Sequence, residues 1–307
     1  MKSFTRRQML ACAGLGALSV GLFPSTLYAA ASGKKRKVLF FSKSSGFEHS
    51  VIQRKNGEPS FAENLLQQWG PEENVEFTFS KDGSLFNPEY LGQFDAYFFV
   101  TTGDLTTPGT DKNPPMTPEG KQAFLDAIHQ GKGFIGSHCA ADTFHSPNYG
   151  HPDTRYKDDA PDQRDPYITM LGAEFIIHGA QQRSRLIPAD KHFPGMKDFP
   201  EDFNPQEEWY SLKNFAPDLH VILVQDTQGM KGNMYQRPPY PETWARPYGR
   251  GRVFYTSMGH REDVWTNPVF KSVLFGGIHW ATGAVRANAR RNLQQAAPGA
   301  SKNPSPA

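Results

Sequence analysis

The stretch Gly131-Lys132-Gly133-Phe134-Ile135-Gly136-Ser137-His138-Cys139-Ala140-Ala141-Asp142 decides how the rest of the chain is read. A short apolar run of strand length stops at Gly136 and gives way to small and reactive residues. In an open α/β sheet, ligands bind just beyond the carboxyl ends of strands. A sharp strand-to-helix turn there can expose one side chain, as in a nucleophile elbow. The pattern Gly136-x-His138-x-Ala140 sets a histidine where such an elbow carries Ser or Cys. It predicts a site on this scaffold that runs a different reaction.

Upstream of that turn, residues 37–42 are a short apolar run ending in Ser and Gly, read as the first buried strand. Residues 58–69 place Phe61, Leu65, Leu66 and Trp69 on one helical face. Residues 75–79 alternate as a strand, and residues 95–100 form another buried strand ending in Thr101-Thr102-Gly103-Asp104. Thr117 caps a helix with Pro118 at its first position, and Gly131 stops it. This strand–helix rhythm implies a parallel sheet with right-handed crossovers. Downstream, no helix is expected at the turn. Residues 142–165 read as a long polar loop containing Pro147, Pro152 and Pro161, and loops of that length are usually functional or disordered. Strands are expected at 174–178, 183–187, 220–225, 243–248 and 252–257. Asn267 and Pro268 open a closing helix through Trp280. No internal repeat is visible, and one domain is expected over residues 32–285.

The ends read differently. Thr5-Arg6-Arg7-Gln8-Met9-Leu10 is a twin-arginine pattern, followed by a mildly apolar run over 11–23 and then Ala29-Ala30-Ala31. That order is an export signal over residues 1–31, and the Gly-rich run is too short for a stable membrane anchor. The mature chain would begin near Ser32, periplasmic or secreted, exported already folded by a route that often carries metal- or cofactor-loaded proteins. Residues 286–307, rich in Ala, Gln, Asn, Pro and Ser, read as a disordered tail. The formal charge is +2, and loss of Lys2, Arg6 and Arg7 takes it to −1. No broad basic field remains for nucleic acid or lipid. Cys139 is the one cysteine beyond the signal, so no internal disulfide forms. About 275 residues bury a core without such staples.

Several segments together resemble the trehalose-utilisation (ThuA-like) family. They are Ser42-Lys43-Ser44-Ser45-Gly46-Phe47-Glu48-His49-Ser50, Gly133-Phe134-Ile135-Gly136-Ser137-His138, Leu171-Gly172-Ala173-Glu174-Phe175-Ile176-Ile177-His178, Glu207-Glu208-Trp209-Tyr210, the run Trp244 to Tyr255, and Gly259-His260. The resemblance covers about residues 36–283. It implies an α/β fold, a flavodoxin-like three-layer sandwich with a mainly parallel central sheet, similar to class I glutamine amidotransferases. It also implies a role with disaccharides and their 3-keto derivatives. The amidotransferase nucleophile would stand where His138 stands, and Cys139 is one residue late, so glutaminase chemistry is not expected.

His138, His260, His49 and His178 all follow strands or strand-end turns. Neutral imidazoles suit zinc and related metals, so one reading is a divalent metal, zinc or manganese, on these four histidines with Glu208 as a further ligand or a base. The other reading is metal-free, with His138 and His260 as acid and base. No H-E-x-x-H or C-x-x-C spacing favours the metal. Asp142 follows the elbow and would orient His138, contact a hydroxyl or cap a turn. Asp104, Arg246, Tyr248 and Trp244, with Trp209 and Tyr210, are candidates for lining a sugar cleft, core packing being the alternative for the aromatics.

The expected function is cleavage of a 3-keto glycoside or disaccharide, by hydrolysis or β-elimination, on a small-molecule carbohydrate and without a nucleotide cofactor. The alternatives are a non-catalytic periplasmic sugar-binding or assembly module, and a cysteine hydrolase using Cys139 with His260. Homo-oligomerisation is left open.

Overall fold

The strands that organise the molecule are those whose residues have no polar face. In β1 (Arg36–Phe41) the last four residues are buried, and β3 (Ala96–Phe99) and β4 (Gly133–Ser137) are buried throughout. Central strands of a parallel sheet, covered on both faces, have this character. The structure, a computed structural model, describes residues 34–305. The export signal expected over residues 1–31 lies outside the described residues. No helix among the described residues is long and apolar enough to cross a membrane.

Between these strands run α1 (Phe61–Glu72), β2 (Val75–Ser80), α2 (Pro88–Gly92) and α3 (Pro118–His129). Helix α1 starts later than its apolar pattern because Ser60 and Glu63 form a reciprocal capping box. Helix α3 starts where expected, with the Thr117 hydroxyl accepting the Gly120 N–H. After β4 come α4 (Pro166–Leu171), β5 (Glu174–His178), β6 (Gln182–Arg183), β7 (Leu186–Pro188), β8 (Gln206–Glu207), β9 (Tyr210–Lys213), β10 (His220–Gln225), β11 (Tyr240–Tyr248), β12 (Gly251–Thr256), α5 (Glu262–Trp265), α6 (Pro268–Ala281) and α7 (Leu293–Ala296).

The central sheet has the order β2-β1-β3-β4-β12-β11-β10-β7. The first five strands are parallel, in the flavodoxin-like order. Strands β11, β10 and β7 extend the sheet antiparallel. Helices α1, α5 and α6 pack together on one side, and α2, α3 and α4 on the other. The α/β class and mainly parallel sheet are as the sequence predicts. Two small antiparallel pairs, β5–β9 and β6–β8, stand outside the sheet. The strand expected over 183–187 is split between β6 and β7, and α4, β8 and β9 were not anticipated.

The disordered tail is a correction. Residues 286–305 lie along β10: the Asn292 N–H donates to Leu219 O, and the Val221 N–H donates to the Asn292 side chain. Leu293, Ala297 and Ala300 are buried. Composition misled here because alanines and an asparagine amide can satisfy a strand edge without an apolar period.

Candidate metal centre

Three carboxyl-terminal strand ends and one inserted segment deliver the site. The loop after β1 leads to His49, β4 runs straight into His138, and β12 is followed by Gly259-His260. Glu208 comes from the link between β8 and β9. His138 has φ of 45°, in the left-handed region that costs a non-glycine residue energy and clusters at functional sites. It is held there by the Tyr255 O–H, which donates to His138 O (2.7 Å). Gly259, with φ of 122°, allows the companion turn; a Cβ there would fall 2.4 Å from Ser137 Oγ. The Ser137 O–H donates to Met258 O (2.7 Å), tying the two turns together.

His49, His138, His260 and Glu208 offer ligand atoms that all lie within 4.8 Å of one another. Glu208 is the hub. Its Oε2 is 3.4 Å from His138 Nε2, 3.2 Å from His260 Nδ1 and 3.9 Å from His49 Nε2. His178 Nδ1 is 3.4 Å from its Oε1, yet His178 is half-exposed and stands outside the four-residue group.

Proton accounting at His138 is the most telling feature. Its Nδ1 lies 3.0 Å from Ser257 O, a carbonyl that can only accept, so Nδ1 carries the hydrogen. Complete burial pushes the ring's pKa down to about 3 and keeps it neutral. Nε2 is then a bare lone pair turned toward a carboxylate oxygen. Burial alone would raise Glu208, but the imidazoles of His138, His260 and His49 outweigh it and hold the carboxyl well below its usual range. Two facing acceptors call for a cation between them. His138 Nε2, His49 Nδ1 and His260 Nδ1 are buried and have no hydrogen-bond partner. Neutral imidazoles and one carboxylate fit a divalent metal ion. The outer shell fits too, since Ser257 O fixes the His138 tautomer and the Gln181 amide meets His260 Nε2 at 2.9 Å.

A second charged group adjoins the centre. His145 Nε2 is 3.1 Å from Asp142 Oδ1, and its Nδ1 is 3.2 Å from Glu174 Oε1. Burial would depress this imidazole, but the two carboxylates outweigh it and raise its pKa. The Tyr149 O–H also donates to Asp142 Oδ1 (3.1 Å), and the Tyr149 ring stacks on His145. Asp142 thus orients with His145, not with His138.

The expected cleft residues need correction. Trp244 is fully buried, its N–H donating to Leu171 O. Trp209 is equally buried, its N–H donating to Gln182 O. Tyr210 is buried with its ring 4.2 Å from that of His138, forming the wall behind it. Because β11 runs antiparallel, Arg246 and Tyr248 pair with Val253 and Gly251, at the opposite end of β12 from His260. Arg246 donates to Thr169 O and Met170 O and pairs with Asp218. Asp104 is exposed and accepts the N–H and O–H of Thr106, capping a turn. Cys139 is completely buried, and burial raises its pKa well above the ordinary thiol value, which removes the cysteine-hydrolase reading. The sequence reading passed over Glu207, Gln181 and His145. Their only signal was proximity to residues already singled out.

A family model described as trehalose utilisation (ThuA) matches residues 37–281. No curated protein matches the chain. Among solved structures, a putative ThuA-like protein from Bacteroides uniformis is 18% identical, with TM-score 0.59, covering 84% of this chain and 95% of that one. Another, from Parabacteroides merdae, is 15% identical, with TM-score 0.56, covering 89% of this chain and 98% of that one. At these identities the likeness shows the fold.

Proposed function

This chain belongs to the trehalose-utilisation (ThuA) family, and on that premise we propose that it cleaves the glycosidic bond of a 3-keto glycoside or disaccharide, by β-elimination or hydrolysis, with a divalent metal at the histidine cluster. Family membership implies a carbohydrate-related role. The observation that carries the finer reading is the bare His138 Nε2 facing Glu208 Oε2 at 3.4 Å in a buried site. A metal-free mechanism with His138 as an acid is disfavoured, because a group held near pKa 3 carries no proton at neutral pH.

His49, His138, His260 and Glu208 would hold the ion, zinc or manganese, whose chemistry when bound is Lewis-acid polarisation of a substrate oxygen. The chain's own residues supply the proton traffic. A ketone at C3 acidifies the C–H at C2. Glu208, held ionised among imidazoles, is a weak base. Asp142 is better placed: Tyr149 and His145 engage its Oδ1, and its Oδ2 makes no hydrogen bond among the described residues. Oδ2 takes the C2 proton, and the electron pair of that C–H bond forms the C1–C2 double bond. The C1–O bond breaks, and the departing oxygen takes a proton back from Asp142. Addition of water across the double bond completes net hydrolysis. The partner is a small-molecule carbohydrate, and the twin-arginine pattern supports export of the folded, loaded protein to the periplasm or beyond.

Elemental analysis of the exported protein tests this, together with turnover of 3-keto-trehalose. About one zinc or manganese per chain is expected, and His138→Ala should lower metal affinity and turnover by about a hundredfold or more. Full turnover by His138→Ala, or by metal-free wild-type protein, would sink the proposal.

A further inference from the structure

The aromatic residues first expected to stack on sugar are buried, and one aromatic residue at the site is not. Phe47 is 68% exposed; among the described residues the other exposed large hydrophobic side chain is Leu85, at 38%. The Phe47 ring stands 5.0 Å from the ring of His49 and perpendicular to it, beside a member of the metal cluster. An apolar ring left in water next to a polar centre marks a place where a ligand supplies the missing contact.

The loop is built to hold the ring there. The Thr102 O–H donates to Phe47 O (2.8 Å), and the Thr110 O–H donates to Gly46 O (2.7 Å). The Ser45 N–H donates to Thr102 O (2.8 Å). On the other side, the buried Lys81 ammonium pairs with Glu48 (3.0 Å). Both neighbours of Phe47 are therefore tied down, and its exposure is not a loose end.

We propose that Phe47 is the stacking platform for a pyranose ring, placing the apolar C–H face of the sugar against the phenyl beside His49. This rests on the carbohydrate-cleaving reading above and extends it with a substrate subsite. The negative face of an aromatic ring attracts weakly positive C–H groups, and an unbranched phenyl loses little freedom when covered. The metal cluster and Asp142 then act on the polar edge of a sugar whose flat face is already located.

Wild-type protein, Phe47→Ala and Phe47→Trp are compared by kinetics with 3-keto-trehalose, calorimetric binding of the same sugar to metal-free protein, and elemental analysis. Phe47→Ala should raise KM and Kd about tenfold while kcat stays within about twofold and metal content is unchanged. Phe47→Trp should restore both constants. Unchanged KM and Kd in Phe47→Ala would overturn the subsite while leaving the functional reading standing. Metal loss in Phe47→Ala would overturn it as well, since Phe47 would then merely support His49. If wild-type protein neither binds nor turns over the sugar, the functional reading itself fails and the subsite falls with it.

Discussion

Glu207 is a buried carboxylate that accepts three backbone N–H groups: those of Glu208 (3.0 Å), Gly259 (2.9 Å) and His260 (3.3 Å). It thereby clamps the segment carrying one candidate ligand to the turn carrying another. Burial raises its pKa to about 7, and the N–H groups work against that rise. A glutamine has the same shape but only one acceptor oxygen, so its amide N–H₂ would face at least one of these donors. Glu207→Gln should therefore weaken zinc or manganese binding about tenfold to a hundredfold, with the far-UV spectrum unchanged. A competitive chelator titration measures this, and wild-type affinity in the variant would show that Glu207 does not position the ligands. The pair Glu207-Glu208 also marks how far single residues can be read in sequence. Glu208 was legible as a candidate ligand, but nothing in the letters says that its neighbour braces the turn before His260. Likewise, residue type identified tryptophans that can stack on a sugar, whereas exposure, which alone separates Phe47 from Trp209 and Trp244, is a property of packing.

Elements divide along the same line. Strands β1, β3 and β4 were legible because both faces are apolar and each run ends in Ser, Thr or Gly, and α3 and α6 because Thr117 and Asn267 cap them ahead of a proline. Strands β8 and β9 were not, since Gln206–Glu207 and Tyr210–Lys213 are short and mixed in polarity. The antiparallel direction of β11, which sent Arg246 and Tyr248 to the wrong edge, depends on connections that no local pattern encodes. That strand also holds Glu242, fully buried against the end of β12. Glu242 Oε1 accepts from the Thr256 O–H (3.0 Å) and the Met258 N–H (3.0 Å), and Oε2 from the Thr243 O–H. Burial raises its pKa to about 7, only partly offset by these donors. The folded value is above the unfolded one, so the stability is fully present below about pH 4.5 and is lost as pH rises toward 7. Glu242→Gln mimics the protonated acid: its oxygen keeps the Thr256 and Met258 donors, and its N–H₂ can donate to the Thr243 hydroxyl, which already donates to Thr256 Oγ1. The variant should match wild type near pH 4.5 and exceed it at pH 8 by on the order of 2–3 kcal/mol. Denaturant unfolding at the two pH values decides it, and an equal difference at both would refute the buried-acid argument.

At the scale of the whole molecule, the five parallel strands carry the site and the antiparallel extension ends under the tail. Beyond Leu219 and Val221, the tail is gripped at His220, whose Nδ1 is 2.7 Å from Arg290 O and whose Nε2 is 2.9 Å from Asp190 Oδ2. It is gripped again at Arg237, a buried guanidinium that donates to Leu212 O, Ala300 O (2.7 Å) and Asn303 Oδ1 (3.2 Å). Burial lowers Arg237 to about 10, so it stays charged and needs those acceptors. Removing residues 286–307 would expose Leu293's packing partners and strip Arg237 of two of its acceptors. Lost apolar burial and unsatisfied donors together should cost about 3–5 kcal/mol, a fall in Tm of about 10 °C for a chain of this size. The histidine cluster shares no hydrogen bond with the tail among the described residues, so metal content should be unaffected. Calorimetry of the truncated chain alongside elemental analysis separates the possibilities. An unchanged Tm would restore the dispensable tail that composition suggested, whereas a lowered Tm with metal retained makes the tail the closing piece of the β10 edge and leaves the site to the parallel half of the sheet.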